Sequence, residues 1–144
     1  MTRKGSQKAV SNDFWQGRLN NAHAFHDAAQ LLLDSHETGQ NTNPIIAQIV
    51  AAAIAYADAV TAKRDNRINQ QDHQALGNLL RSVLGSRLPT NQLANLNRIL
   101  KEKDDASYGI RAGTLTQARD LLERLNKFGA WTDAELDWKV QPNL

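Results

Sequence analysis

The chain has 144 residues, 41% of them hydrophobic and 22% charged, which is the size and composition of one globular domain. Its 17 Lys and Arg against 15 Asp and Glu give a net charge of only +2, a balance that neither requires nor excludes nucleic acid. Cysteine is absent, which excludes disulfides, thiolate metal ligands and a Cys nucleophile. The basic, polar segment 1–10 does not have the apolar core of a secretory signal, so we expect a cytoplasmic location.

The first predicted helix begins near Asn12 or Asp13, either of which can cap it. Apolar residues then recur at helical spacing. They are Trp15, Leu19, Ala22, Phe25, Ala29, Leu32 and Leu33. The polar segment 37–43, which contains a glycine, is expected to end this helix as a loop.

The second predicted helix starts at Asn43–Pro44, a capping residue followed by proline at the first helical position. It runs to about Arg64 and is apolar almost all round, so we expect it to be the most buried helix. Gln48 and Asp58 interrupt its apolar stretch, Ile45–Ala62. A charged residue inside a membrane-spanning helix is costly, so the stretch predicts the core helix of a soluble protein and no membrane partner.

Three further helices are predicted from their boundary residues. The third spans about residues 71–84 and stops at Gly85, and the fourth opens at Pro89–Asn91. The last opens at Thr114, which forms a capping box with Gln117.

The predicted fold is therefore all-α, an antiparallel bundle of four or five helices over residues 12–131. A flexible basic arm, 1–11, precedes it, and a C-terminal tail, 132–144, follows it. Trp138 in this tail is a candidate contact for a partner. No β-strand is predicted, because the chain has neither an alternating apolar run nor an Asn-Gly turn.

The densest polar stretch follows the second predicted helix and contains Lys63, Arg64, Arg67 and His73. Guanidinium groups bind phosphate and an imidazole can act as a general base, so Arg67 and His73 are candidate catalytic residues for metal-free RNA cleavage. Lys63, Arg64 and Arg67 are candidate nucleic-acid contacts. The alternative is structural: Lys63 and Arg64 complement the dipole at the end of their helix, and His73 lies in the first turn of the next.

A second polar cluster closes the fourth predicted helix. Lys103 and Tyr108 can touch one phosphate together, which makes both candidate catalytic residues. Lys101 and Arg111 are candidate nucleic-acid contacts. The alternative is a solvated helix end held by salt bridges.

His23 and His26 lie three residues apart on the first predicted helix, so both can point one way. A metal site needs a further ligand, so a solvated or half-buried helix face is the favoured interpretation, and we predict no metal and no cofactor. Asp58 is the one charge in the apolar stretch Ile45–Ala62 of the second helix. It either faces a site between helices or pairs with an arginine such as Arg81 or Arg98, and pairing is favoured because unpaired buried charge is costly.

Three segments resemble the HEPN superfamily. They are Ala-Ile-Ala-Tyr-Ala-Asp-Ala at 53–59, Asp72–His73 before a leucine-rich helix, and Lys-Asp-Asp-Ala-Ser-Tyr-Gly at 103–109 ahead of a last helix that carries Ala118 and Phe128. The resemblance covers about residues 13–130. It implies a small helical bundle that forms a homodimer. Many such proteins are RNases or RNase toxins, often paired with nucleotidyltransferase antitoxins.

Active members of the superfamily carry Arg-x4–6-His late in the bundle, where two copies meet. Here the late stretch reads Lys103-x4-Tyr108, and Arg67-x5-His73 has the spacing but lies between the second and third helices. The resemblance therefore implies a non-catalytic HEPN-like module that binds a partner protein or nucleic acid, in a toxin–antitoxin or defence-like setting. Two alternatives stay open: a metal-independent ribonuclease using these four residues, and a structural helical adaptor.

Overall fold

A computed structural model of the chain describes residues 7–70, 73–103 and 112–138. These ranges contain five α-helices and one small sheet, so the predicted helical character is confirmed. The helices are α1 Phe14–Asp34, α2 Asn43–Asp65, α3 Leu76–Leu84, α4 Thr90–Leu100 and α5 Leu115–Glu135, and the strands are β1 Gln7–Ala9 and β2 Arg67–Asn69. Short 3-10 turns, His73–Ala75 and Gly85–Arg87, flank α3.

The prediction that the chain has no strand is wrong. β1 and β2 pair antiparallel with Lys8 opposite Ile68, and the Val10 amide extends the pairing by donating to the Asn66 carbonyl at 2.9 Å. Each strand has only three residues, which is too short for an alternating pattern to stand out in the sequence. The pairing places residues 7–9 of the predicted N-terminal arm against the segment that follows α2.

α2 is the central helix, and all four other helices pack against it. Every residue from Ala55 to Ala62 is buried, which confirms the expectation from its all-round apolar sequence. Its length and composition would allow it to cross a membrane, but 78% of its most apolar window is covered by the protein itself. Such coverage is typical of the core helix of a soluble protein.

α1 runs antiparallel to α2, as the short connection between them predicts. The Lys63 ammonium near the end of α2 lies 4.3 Å from the centroid of the Trp15 ring near the start of α1. Further along, Arg18 of α1 pairs with Asp58 of α2 at 2.9 Å. Residues later in α1 therefore contact residues earlier in α2, as in an antiparallel pair of helices.

α5 runs parallel to α2, so the predicted antiparallel arrangement does not extend to this pair. Asn43 at the start of α2 contacts Gly113 just before α5, and Lys63 near the end of α2 contacts Leu136 just after α5. The segment with the two short helices α3 and α4 returns the chain to the end of the bundle where α2 begins. The pair α1 and α2 is therefore antiparallel as the short-loop rule predicts, and the pair α2 and α5 is not.

The junction between the starts of α2 and α5 uses Asn43, which the sequence suggests as a helix cap, and its neighbour Thr42. The Gly113 N–H donates to Asn43 Oδ1 at 2.9 Å, and the Thr42 hydroxyl donates to the Gly113 carbonyl. A Cβ at Gly113 would lie only 2.6 Å from Ile46 Cδ1. Asn43 therefore ties α5 to α2 instead of capping its own helix, whose N-cap is Thr42.

Two predicted helix boundaries are confirmed. The Thr114 side chain accepts a hydrogen bond from the Gln117 amide at 3.0 Å at the start of α5, and Gly85 ends α3 with φ +56°. α5 continues to Glu135, beyond residue 131 where the bundle was expected to end. Trp138, beyond α5, packs partly buried against the core.

Candidate functional site

The basic residues at the end of α2 bind the end of α5. Lys63 donates to the Leu136 carbonyl at 2.8 Å, and Arg64 donates to the carbonyl and carboxylate of Glu135. Carbonyls at the end of a helix carry partial negative charge, so these two cations stabilise α5. The structure thus favours the structural interpretation of Lys63 and Arg64, although they act on a neighbouring helix rather than their own.

Arg67, the candidate phosphate-binding residue, connects the two strands of the small sheet through its side chain. It lies in β2, where its guanidinium donates to the Asp65 carboxylate and, at 2.8 Å, to Gln7 Oε1 in β1. His73, the candidate base, is half-buried in the 3-10 turn before α3. Among the described residues, the Arg67 guanidinium is therefore engaged with Asp65 and Gln7 and not with His73.

The second candidate cluster is only partly described. Lys101 is exposed directly after α4, and Lys103 is half-buried two residues later. Nearby, Arg98 pairs with Glu102 at 2.6 Å, as a salt-bridged helix end would. The candidate residues Tyr108 and Arg111 lie outside the described residues, so their roles stay predictions.

Asp58 is paired, as favoured from the sequence, but with a different arginine. Its carboxylate accepts from Arg18 of α1 at 2.9 Å, and neither Arg81 nor Arg98 is its partner. Asp58 is only 4% exposed, and this burial raises the pKa of its carboxyl to about 6. The positive charge of Arg18 lowers the same pKa, but by less. The sequence could not identify Arg18, because that residue reaches Asp58 only through the packing of α1 on α2.

A polar cleft of about 340 Å³ lies between α1 and α5, and we name it the histidine cleft. It is lined by His23, His26, Asp27 and Gln30 of α1, Tyr56 of α2, and Asn126, Gly129, Ala130 and Asp133 of α5. Within each of the two outer helices the lining residues are spaced i, i+3, i+4 and i+7, so they share one helix face. Two matching faces thus meet across the buried Tyr56.

Hydrogen bonds hold both imidazoles of the cleft, and Tyr56 makes one of them. Its hydroxyl donates to His26 Nδ1 at 2.7 Å, which leaves the Nε2–H of that ring to donate to Asn126 Oδ1 at 2.6 Å. On the other side, His23 Nε2–H donates to Asp133 Oδ1 at 2.9 Å, and His23 Nδ1 lies 3.5 Å from the Tyr56 hydroxyl. Tyr56 therefore holds the His26 ring by a hydrogen bond, and Asp133 holds the His23 ring.

Trp138 covers the His23 ring. The two rings stack with centroids 5.3 Å apart and planes 23° apart, and the Tyr56 ring meets His23 edge-on at 5.5 Å. The Trp138 amide donates to the Asp133 carbonyl at 2.8 Å, which holds the indole in this position. Trp138, a candidate partner contact from the sequence, thus has an internal role beside the cleft.

Burial and charge set the protonation of the cleft. Burial raises the pKa of Tyr56 well above its ordinary value, and the carboxylates of Asp133 and Asp27 raise it further. Burial also raises the pKa of Asp133, which His23 opposes. Tyr56 therefore keeps its proton and acts as a neutral hydrogen-bond donor.

The lining residues include two carboxylates and no Lys or Arg. Within residues 7–70, 73–103 and 112–138, no group of three or more His, Asp or Glu is arranged to hold a metal ion. The cleft therefore offers hydrogen-bond partners and two carboxylates that can pair with positive charge.

The sequence indicated only part of this site. The spacing of His23 and His26 was visible, and both are half-buried as favoured. Their partners lie far away in the chain: Tyr56 is 30 residues from His26, Asn126 is 100 residues from His26, and Asp133 is 110 residues from His23. The missed signal is the second polar stripe on α5, formed by Asn126 and Asp133 on either side of the small residues Gly129 and Ala130.

Comparison with known proteins does not assign this chain to a family, so its class is described from its fold and its cleft. No protein-family model matches the chain, and no curated protein sequence matches it. Within its described residues the chain is a helical protein built around α2, with a polar cleft between α1 and α5.

Proposed function

We propose that this chain is a non-catalytic, HEPN-like helical module that binds a partner protein at the histidine cleft. The observation that carries the proposal is the composition of the cleft, which combines two carboxylates with neutral polar groups and has no Lys or Arg among its lining residues. Binding of a nucleic-acid backbone depends on cationic contacts to phosphates. The cleft therefore favours a protein partner over RNA.

The internal contacts of the basic residues support the same choice. Lys63 and Arg64 neutralise the end of α5, and Arg67 is bound to Asp65 and Gln7. A cation that already has hydrogen-bond partners gains less from a phosphate than a free one, because the existing bonds must first break. The candidate nucleic-acid contacts on α2 and β2 are thus better explained by folding.

A homodimer in a toxin–antitoxin or defence-like setting is part of this proposal and rests on the HEPN resemblance. The segment 53–59 that carries the resemblance includes Tyr56 and Asp58, which occupy central positions in the fold. Leu31 lies one turn beyond Asp27 on α1 and is 68% exposed. It offers a partner an apolar contact beside the polar cleft.

The first experiment separates protein binding from RNA binding. We expect the purified full chain to show no saturable change in fluorescence anisotropy with labelled single-stranded RNA at low salt, where phosphate contacts are strongest. RNA binding that weakens when Lys63, Arg64 and Arg67 are changed to Gln would contradict the choice of a protein partner.

The ribonuclease alternative has its own test. Labelled RNA incubated with the chain in EDTA is expected to stay intact. Cleavage that is lost in His73→Ala would instead establish a ribonuclease and contradict a non-catalytic role. Changing Lys103 to Gln in parallel tests the second candidate cluster.

The second experiment places the partner. A photo-crosslinking amino acid at Gln30 in the cleft should give a discrete protein adduct in cells, whereas the same residue at the exposed Gln16 of α1 should not. An adduct of twice the chain mass identifies a homodimer. Equal adducts at both positions, or none at either, would contradict a partner at the cleft. The structural adaptor alternative predicts that neutralising the cleft carboxylates leaves such adducts unchanged.

A further inference from the structure

We infer that the histidine cleft binds an alkylammonium group, the charged head of a lysine side chain or of a free amine. The inference deepens the proposed function and rests on it only for the choice of a protein side chain as the source. The supporting observations are the free acceptors of the cleft, its charge and the shape of its floor.

The acceptors match the donors of an ammonium group, which has three N–H groups and no acceptor. The Asp27 carboxylate is exposed at the rim of the cleft. Asp133 uses Oδ1 for His23, so its Oδ2 remains for a ligand. Gln30 donates its amide N–H to Asp34 at 2.8 Å, which leaves the amide oxygen as a third acceptor.

The charged groups around the cleft also favour a cationic ligand. α1 contributes His23, His26 and Asp27, α2 contributes Tyr56, and α5 contributes Asp133. Both carboxylates raise the pKa of the Tyr56 hydroxyl, so both act on the same point inside the cleft. An organic cation can pair with both carboxylates, whereas a phosphate or a carboxylate ligand carries the same sign of charge as they do.

The floor of the cleft suits the alkyl chain of such a ligand. Ala130 is exposed on α5 and has no side chain beyond Cβ, so it leaves this part of the floor open, whereas the Tyr56 ring fills the space over Gly129. A chain of four or five methylenes can lie over Ala130 while its ammonium reaches the carboxylates, as the stem of a lysine lies along apolar surface.

The test is an NMR titration of the full chain with 1,5-diaminopentane, acetate and inorganic phosphate. The diamine should shift the side-chain signals of His23 and Asn126 saturably, and neither anion should. Asp27→Asn and Asp133→Asn should each weaken diamine binding about tenfold, the effect of losing about 1.4 kcal/mol of contact energy. Asp120→Asn is the control, because Asp120 pairs with Arg124 and does not line the cleft. Thermal unfolding confirms that each variant is folded.

Two peptides separate the possible sources of the ammonium group. A blocked Gly-Lys-Gly peptide should bind, and its Nζ-acetylated form, which has no charge, should not. Binding of the diamine without binding of the lysine peptide keeps the ammonium site but removes the protein side chain as its occupant. Absence of diamine binding, or equal shifts with phosphate, overturns the inference, and the crosslink at position 30 then decides the proposed function separately.

Discussion

Gly129 of α5 lies directly against the ring of Tyr56. A Cβ added at Gly129 would come within 2.9 Å of Tyr56 Cζ and 3.0 Å of its hydroxyl oxygen. Tyr56 is only 1% exposed and its hydroxyl is hydrogen-bonded to His26, so the ring has no free space to move into without losing that bond. The close approach of α2 and α5 therefore requires a residue without a side chain at position 129.

The first prediction follows from this contact. Gly129→Ala should lower the free energy of unfolding by about 1–3 kcal/mol, because overpacking outweighs the better helix propensity of alanine. Gly17→Ala in α1 is the matched control: no atom lies within 4 Å of its added Cβ, so it should stabilise the chain by about 0.5–1 kcal/mol. Urea unfolding measures both, and a Gly129→Ala chain as stable as wild type would refute the contact.

The second prediction concerns the hydrogen bond between Tyr56 and His26. Tyr56→Phe should cost about 1 kcal/mol, because it removes a donor from a half-buried imidazole nitrogen. His26→Gln should interact with it in a double-mutant cycle, with a coupling energy of about 0.5–1.5 kcal/mol. Additive effects of the two changes on urea unfolding would mean that the hydroxyl does not hold His26.

The third prediction is a pH dependence caused by Asp58. Its carboxyl has a pKa of about 6 in the folded chain against 3.8 in the absence of structure. Between these values the folded chain keeps a proton that the unfolded chain has released, so stability should fall as pH rises through this window, by roughly 3 kcal/mol at most.

Urea unfolding of wild type and Asp58→Asn across that window isolates the effect. The difference between the two chains removes the contributions of other carboxyls, including Asp133, whose pKa is also raised. A difference that stays flat, or one that grows in favour of the wild type as pH rises, would show that burial does not control Asp58.

The fourth prediction tests the role of Arg18. Because Arg18 lowers the pKa of Asp58 against the effect of burial, Arg18→Met should move that pKa above its wild-type value of about 6. A carboxyl-carbon NMR titration measures the shift directly. Arg119→Met on the exposed side of α5 is the control and should leave the Asp58 titration unchanged. A lower pKa in Arg18→Met would be inconsistent with the ion pair.

The fifth prediction concerns Glu135, whose side chain is 13% exposed and accepts hydrogen bonds from Arg64 and Arg87. Glu135→Gln should lower the free energy of unfolding by about 1–2 kcal/mol and increase RNA retention at low salt, because it removes the negative charge that pairs with Arg64 and Arg87. Glu123→Gln breaks the exposed pair with Lys127 and should change stability by less than about 0.5 kcal/mol. Equal effects of the two changes would contradict an internal role for Glu135.

The helices could be predicted from the sequence because their signals are local. Thr114 caps α5 and Gly85 ends α3, and both choices depend on residues within one turn. The apolar sequence of α2 likewise indicated its burial. The direction of α5 was not accessible in this way, because it depends on where the chain returns after α4. β1 and β2 escaped prediction because their pairing joins residues about sixty positions apart.

For the site, too, the local signals could be predicted from the sequence and the contacts between distant segments could not. The basic residues near the end of α2 stood out as a cluster, but clustering in sequence does not show that Lys63 and Arg64 point at α5. His23 and His26 carried a visible spacing and gave no indication of Tyr56, Asn126 or Asp133. A polar stripe becomes a site only when a second stripe faces it, and that pairing is a property of the packed helices.

The junction between Asn43 and Gly113 joins residues 70 positions apart, and it ties α5 to the start of the central helix. A ribosome completes α2 long before α5 leaves the exit tunnel. During that interval the side of α2 that α5 will cover, which includes Tyr56, is open to chaperones and to other nascent chains. Stalled or shortened translation products that lack α5 should therefore be substrates for proteolysis.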